Sequence, residues 1–100
     1  MPKINLEIPH TLTADEAKER LQRFLEAMQE KFQESLSDLE QSWQGDTLSF
    51  GFKTYGIKIT GNLQVEDDKV VFDGELPFTA MMFKGKIESE IRKQLERLLR

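Results

Sequence analysis

The side chains with most chemistry to offer are one histidine, His10, and a group of carboxylates, Glu66, Asp67, Asp68, Asp73 and Glu75. An imidazole titrates near neutrality and can serve as a general base or a metal ligand. His10 has no Ser or Cys nucleophile motif beside it, and it follows Pro9 just ahead of a helix start, where a lone histidine is commonly structural. The carboxylates carry the oxygens that calcium prefers, but the loop pattern with its obligatory glycine turn is missing. A solvated hairpin tip explains them. Gly45-Asp46 and the Gly51 to Gly56 stretch match no phosphate-binding loop and read as hairpin punctuation. Nothing brings two acids into a shared pocket for acid–base work. The expectation is a chain with no catalytic residue, metal or cofactor, and one that is not an enzyme.

The remaining candidate is apolar. Phe78, Met81, Met82 and Phe83 lie in the connection Phe78-Thr79-Ala80-Met81-Met82-Phe83. Adaptable Met beside Phe suits a surface that binds apolar partners. The weightier reading is that these residues close the core under the last helix. The hypothesis set against it is that part of the cluster meets solvent and binds an apolar partner.

The elements that must position these residues follow from periodicity. Residues 3–8 alternate, with Ile4, Leu6 and Ile8 on one face and Lys3, Asn5 and Glu7 on the other, which predicts a half-buried strand closed by Pro9. Thr13-Ala14-Asp15-Glu16 has the spacing of a capping box. Ala17, Leu21, Phe24, Leu25, Met28, Phe32, Leu36 and Leu39 then form one stripe, predicting a long amphipathic helix from Thr13 to about Leu39. Such a helix would run roughly 40 Å, so it must cross the sheet diagonally, overhang it or end early; Ser35 and Ser37-Asp38 are where fraying is expected.

Beyond it the period becomes two. Trp43 lies on a short segment around residues 40–44. Leu48, Phe50 and Phe52 share one face of the next strand. Ile57, Ile59, Gly61, Leu63 and Val65, then Val70, Phe72, Gly74 and Leu76, continue the pattern. Two-residue loops at Gly45-Asp46, Thr54-Tyr55 and Asp67-Asp68 would oppose Trp43 to Leu48, Phe52 to Ile57 and Val65 to Val70, all apolar to apolar. Gly61, inside a strand, predicts a bulge or bend. Ile87, Ile91, Leu95, Leu98 and Leu99 give a second amphipathic helix. The fold class is α+β: a strand, a long helix, a four-strand antiparallel meander and a C-terminal helix, in one domain over residues 1–100, with both helices on one face of the sheet.

With no cysteine among 100 residues, disulfides cannot form and a zinc site would lack sulfur ligands. Fourteen basic residues against 18 acidic ones give a net charge of −4, which disfavours a nucleic-acid partner. From Lys84 onward the balance reverses, as suits the end of a terminal helix. The start lacks the apolar core of a signal peptide, and no run is long enough for a membrane span, so a cytoplasmic protein is expected.

The chain resembles the putative polyhydroxyalkanoic acid system proteins, a family of small bacterial proteins. The likeness rests on His10-Thr11-Leu12 followed by Asp15-Glu16-Ala17, on Trp43-Gln44-Gly45-Asp46-Thr47-Leu48-Ser49-Phe50 and on Lys84-Gly85-Lys86-Ile87-Glu88-Ser89-Glu90-Ile91. These are signals of fold rather than of chemistry, and they span essentially the whole chain; the Phe78–Phe83 connection is less family-like. The resemblance implies an accessory or regulatory role in polyester-granule storage, with a protein partner or the granule surface as the bound target. It brings no catalytic residues. The alternative is a small-ligand module with an apolar molecule held between helix and sheet, a reading that fails if Trp43, Phe50, Phe52 and Phe72 fill the core. A helix end overhanging near Phe32 to Leu39, or an unpaired sheet edge, would also allow a homodimer.

Overall fold

The opening alternation makes a strand: β1, Lys3–Pro9, buries Ile4, Leu6 and Ile8 and exposes the residues between them. The computed structural model describes residues 3–31, 36–54 and 56–100, with the backbone alone described at 36–38 and 54. Helix α1, Ala14–Lys31, opens on the expected capping box. The Glu16 amide donates to Thr13 Oγ1 at 3.1 Å, and the Thr13 amide donates to Glu16 Oε1 at 3.4 Å. Replacing Thr13 by Ala should therefore cost about 1 kcal/mol of stability, read as a lower urea midpoint at unchanged slope.

The helix does not reach Leu39. It ends at Lys31, and Leu36–Gln44 is a strand, β2. Phe32 and Ser35 lie outside the described residues. Two physical reasons explain the difference. The Leu36, Leu39, Trp43 spacing fits a helical stripe, but Leu39, Gln41 and Trp43 also alternate, and tertiary pairing decides between the two periods. The sheet order is β1-β5-β4-β3-β2, so α1 must carry the chain from one edge to the other. That is four strand spacings, roughly 19 Å. The 18 residues of α1 already rise about 27 Å.

Strands β3, Thr47–Thr54, β4, Ile57–Val65, and β5, Lys69–Glu75, complete an antiparallel sheet of five. Trp43 opposes Leu48 and Val65 opposes Val70, as expected. The middle hairpin differs. Thr54 pairs with Ile57, so Phe52 opposes Ile59 instead of Ile57. The turn places its positive φ, +77°, on Gly56, where an L side chain would be strained; Tyr55 lies outside the described residues. The shift is two residues, which leaves every side chain on its expected face.

The bulge also falls elsewhere. Gly61 pairs continuously with Phe50 and Gly74. The pairing shifts instead in β2, between Ser37 and Glu40, so that Asp38 and Leu39 share the place opposite Phe52. Gly61 is small for another reason. A Cβ there would lie 2.4 Å from the Asp73 carbonyl oxygen and 3.0 Å from the Phe50 ring. The Phe50 and Phe72 rings, 5.7 Å apart, occupy the space beside the Gly61–Gly74 pair.

After β5 a 3-10 segment, Phe78–Phe83, leads into helix α2, Lys84–Leu98. Both helices pack into one apolar cluster with the inward face of the sheet, through Ala17 and Leu21 of α1, Leu95 of α2 and Leu99 just beyond it. Arg20 of α1 donates to the Leu98 carbonyl at 3.2 Å and to that of Arg100, closing the C-terminal end of α2. The opposite face is polar and paired: Asn5 donates to Asp73, and Ser49 donates to Asn62 at 2.9 Å. Lys69 donates to Glu7 at 3.0 Å, and that bond, with the charges of Glu7 and Glu66, raises the ammonium pKa above its ordinary 10.5.

Candidate functional site

His10 is placed by the end of β1 and the turn into α1, and it is 8% exposed. The Leu12 amide donates to its Nδ1 at 3.1 Å. Nδ1 therefore carries no proton, and Nε2 donates to the Glu66 carbonyl at 2.9 Å. Its own amide donates to the Asp68 carbonyl at 2.9 Å. With both ring nitrogens bound to backbone, no nitrogen is left to take a substrate proton. His10 staples the helix start to the β4–β5 turn. Its replacement by Ala leaves a part-buried amide and carbonyl without their partner, and should cost about 1–2 kcal/mol, measured by urea unfolding.

Of the acidic residues, Glu66 and Asp68 serve the same turn through their backbone, and Asp73 and Glu75 lie further along β5. Asp67 and Asp68 are exposed, and the Glu66 amide donates to the Lys69 carbonyl at 2.8 Å to close the loop. Among the described residues, no three His, Asp or Glu side chains are grouped to hold an ion. A hollow of about 490 Å³ is lined by the polar-face residues Lys3, Thr60, Asn62, Asp73 and Glu75 around Gly61 and Gly74. Its Asn62 and Asp73 are already paired with Ser49 and Asn5.

Trp43 turns out to be a clamp. Its Nε1 donates to Gln22 Oε1 at 2.6 Å, and the Lys18 ammonium lies 5.1 Å from its ring centroid. Lys18 also donates to the Gly45 carbonyl at 2.6 Å and pairs with Asp46 at 3.6 Å. One face of α1 thus holds the β2–β3 hairpin tip by a cation–π contact, an indole hydrogen bond and a charge pair.

The 3-10 segment places the apolar candidates in solvent. Ala80 alone is buried; Phe78, Met81, Met82 and Phe83 are 68%, 55%, 84% and 53% exposed. This overturns the weightier expectation, that these residues close the core. The reason is local. A turn with three residues per repeat stacks i on i+3; the row of Ala80 and Phe83 anchors the segment, with Ala80 buried and Phe83 the least exposed of the four. Lys84 and Lys86 follow directly in the first turn of α2, with Gly85 between them.

Among the described residues, the core beneath the helices is incomplete. Phe50, Phe52 and Phe72 do not fill the space between helix and sheet. Phe50 stacks on Phe52 at 6.3 Å, and the three line one side of a cavity of about 330 Å³. Its walls are apolar side chains of α1, α2 and β2 to β5, Leu25, Met28, Ile59 and Ile91 among them. Among the described residues, four polar ones also line it: Gln29, Gln41, Glu90 and Gln94. The first three are exposed and the fourth is half-buried, which puts them at the mouth. Sequence reasoning missed this rim because residues 36–39 read as helix. The signal that could have found it is Gln41, a polar residue between Leu39 and Trp43 on an otherwise apolar strand face.

A family model described as "Putative polyhydroxyalkanoic acid system protein" matches residues 4–99. No curated protein matches the chain. Among solved structures the chain is similar to the crystal structure of TTHA0849 from Thermus thermophilus, at 12% identity over 98% of this chain and 92% of that one, with a TM-score of 0.39. Likeness at that level carries no argument about the site. No helix among the described residues is long and apolar enough to cross a membrane.

Proposed function

This chain belongs to the family of putative polyhydroxyalkanoic acid system proteins, and from that premise we propose that it is a non-enzymatic, cytoplasmic accessory protein that docks on the polyester granule surface. The observation that carries the reading is the exposure of Phe78, Met81, Met82 and Phe83 on one short segment. Folded monomers rarely leave large apolar side chains grouped in water without a use for them. Four side chains cover less than the roughly 800 Å² per partner of a standard protein interface. They suit insertion into a continuous apolar surface better. Docking on a protein, or on a second copy as a homodimer, are the other uses of the same four side chains. The backbone bonds to both nitrogens of His10 and the Asn5–Asp73 pairing support a role without catalysis.

The test is sedimentation of the purified chain with polyester particles in the presence of excess albumin. The chain should pellet with the particles, and its solution mass should stay that of one chain at micromolar concentration. A protein that remains in the supernatant at every particle load contradicts granule docking, and a mass that doubles with concentration points to the homodimer instead.

A further inference from the structure

We propose that the cavity between the two helices and the sheet binds one uncharged, mostly aliphatic molecule, its hydroxyl or ester head lying among Gln29, Gln41 and Gln94. This site is lined by other residues than the docking segment and goes beyond the granule-docking reading.

Size comes first. An engineered apolar cavity of about 150 Å³ takes up benzene. On that scale about 330 Å³ accommodates roughly a dozen non-hydrogen atoms, which is one medium-length chain and not a bilayer lipid. Polarity comes second. The wall is made by Leu, Ile, Phe and Met side chains, many of them half-buried, such as Phe24, Met28, Phe52 and Ile87. An aliphatic ligand would take these out of water and complete the core that the fold leaves open.

Charge decides the head group. Among the described residues the lining contains no Lys, Arg or His, and its one ionisable residue is Glu90. A fatty carboxylate would meet that like charge with no cation to offset it, and the apolar wall gives it no compensation for lost water. Glu90 is exposed, so its pull on a cationic head is screened by water, and a quaternary ammonium, which has no N–H to give the amides, gains little there for the water it loses against the apolar wall. Three amides offer both donors and acceptors, which suits a hydroxyl or an ester.

The test is calorimetric titration of the full chain with three probes of equal chain length: n-octanol, octanoate and octyltrimethylammonium. The alcohol should bind saturably at one per chain, about tenfold or more tightly than either ion. Ile59→Trp fills one wall and should abolish binding; if it does not fold, Met28→Trp fills the cavity from α1. Glu90→Lys should bring octanoate to within about threefold of the alcohol. The double variant Phe78→Gln/Met82→Gln, which removes half of the docking surface, should bind the alcohol as the parent does. No saturable alcohol binding, tighter binding of either ion, undiminished binding in a folded cavity-filling variant, or loss of binding in the docking-surface variant would each overturn the assignment. A chain that pellets with polyester but ignores octanol leaves granule docking standing and removes only this site.

Discussion

Replacing Phe78 and Met82 together by Gln is expected to weaken adsorption to polyester particles about 100-fold while leaving the unfolding midpoint unchanged. The two side chains are the most exposed of the four. Moving a large apolar side chain fully out of water is worth about 1.5–3 kcal/mol. Most of each side chain is available for transfer, so the pair contributes about 3 kcal/mol, which is roughly two decades of affinity. Gln matches Met in length and is tolerated at an exposed position, so stability should move by less than about 0.5 kcal/mol. A binding isotherm on particles with urea unfolding of the same samples separates the two effects. A large loss of stability would mean that the segment holds the core together, and unchanged adsorption would move the contact elsewhere.

The largest expected loss of stability comes from Gly61→Ala. The added Cβ would sit 2.4 Å from the Asp73 carbonyl oxygen, 3.0 Å from the Gly74 Cα and 3.0 Å from the Phe50 ring. Two of these neighbours are backbone held in the β4–β5 pairing, so relief requires opening the ladder between the central strands. Overpacking of this kind costs about 3 kcal/mol, a fall in Tm of roughly 15 °C for a domain of this size. Gly51→Ala is the control. Its Cβ would meet Thr60 Cγ2 at 3.4 Å and the Ile59 carbonyl oxygen at 3.8 Å, both ordinary contacts, and Ala is the better strand residue. Near-equal melting of the two variants, measured by circular dichroism, would contradict the close packing at Gly61.

Much of the fold was legible because its signals are local. The Thr13–Glu16 spacing, the alternation in 3–8 and the Trp43–Leu48 and Val65–Val70 oppositions are all realised. The failures come where a local pattern satisfies two structures or where a distant partner decides. Leu36, Leu39 and Trp43 fit a helical stripe while Leu39, Gln41 and Trp43 fit a strand, and the pairing with β3 and the width of the sheet that α1 must cross choose between them. Gly56 rather than Thr54 closes the middle hairpin because the positive φ falls at the second loop position. Gly61 reads as a bulge along its own strand, yet its constraint comes from Asp73 and Phe50 on neighbouring strands.

The site was legible in the same uneven way. Phe78, Met81, Met82 and Phe83 stand out by composition, but whether they face the core depends on a 3-10 turn that composition does not encode. His10 could be a base by residue type, and its place after Pro9 at a helix start favours a structural role. Its two backbone partners, Leu12 and Glu66, lie two and 56 residues away, and only the folded chain brings the second one to it. The cavity rim joins Gln29, Gln41, Glu90 and Gln94 from three elements, so no single stretch announces it.

The central claim, that residues 78–83 are the part of the molecule that enters an apolar surface, is tested most directly by oxidative footprinting. Met81 and Met82 are exposed in the free chain, so both should convert to the sulfoxide rapidly in dilute peroxide. With the chain adsorbed on polyester particles, their rates should fall about tenfold or more as the segment leaves water, while Met28 on α1 keeps its free-chain rate. Met81 and Met82 oxidising at the same rate in the bound and free protein would contradict the account.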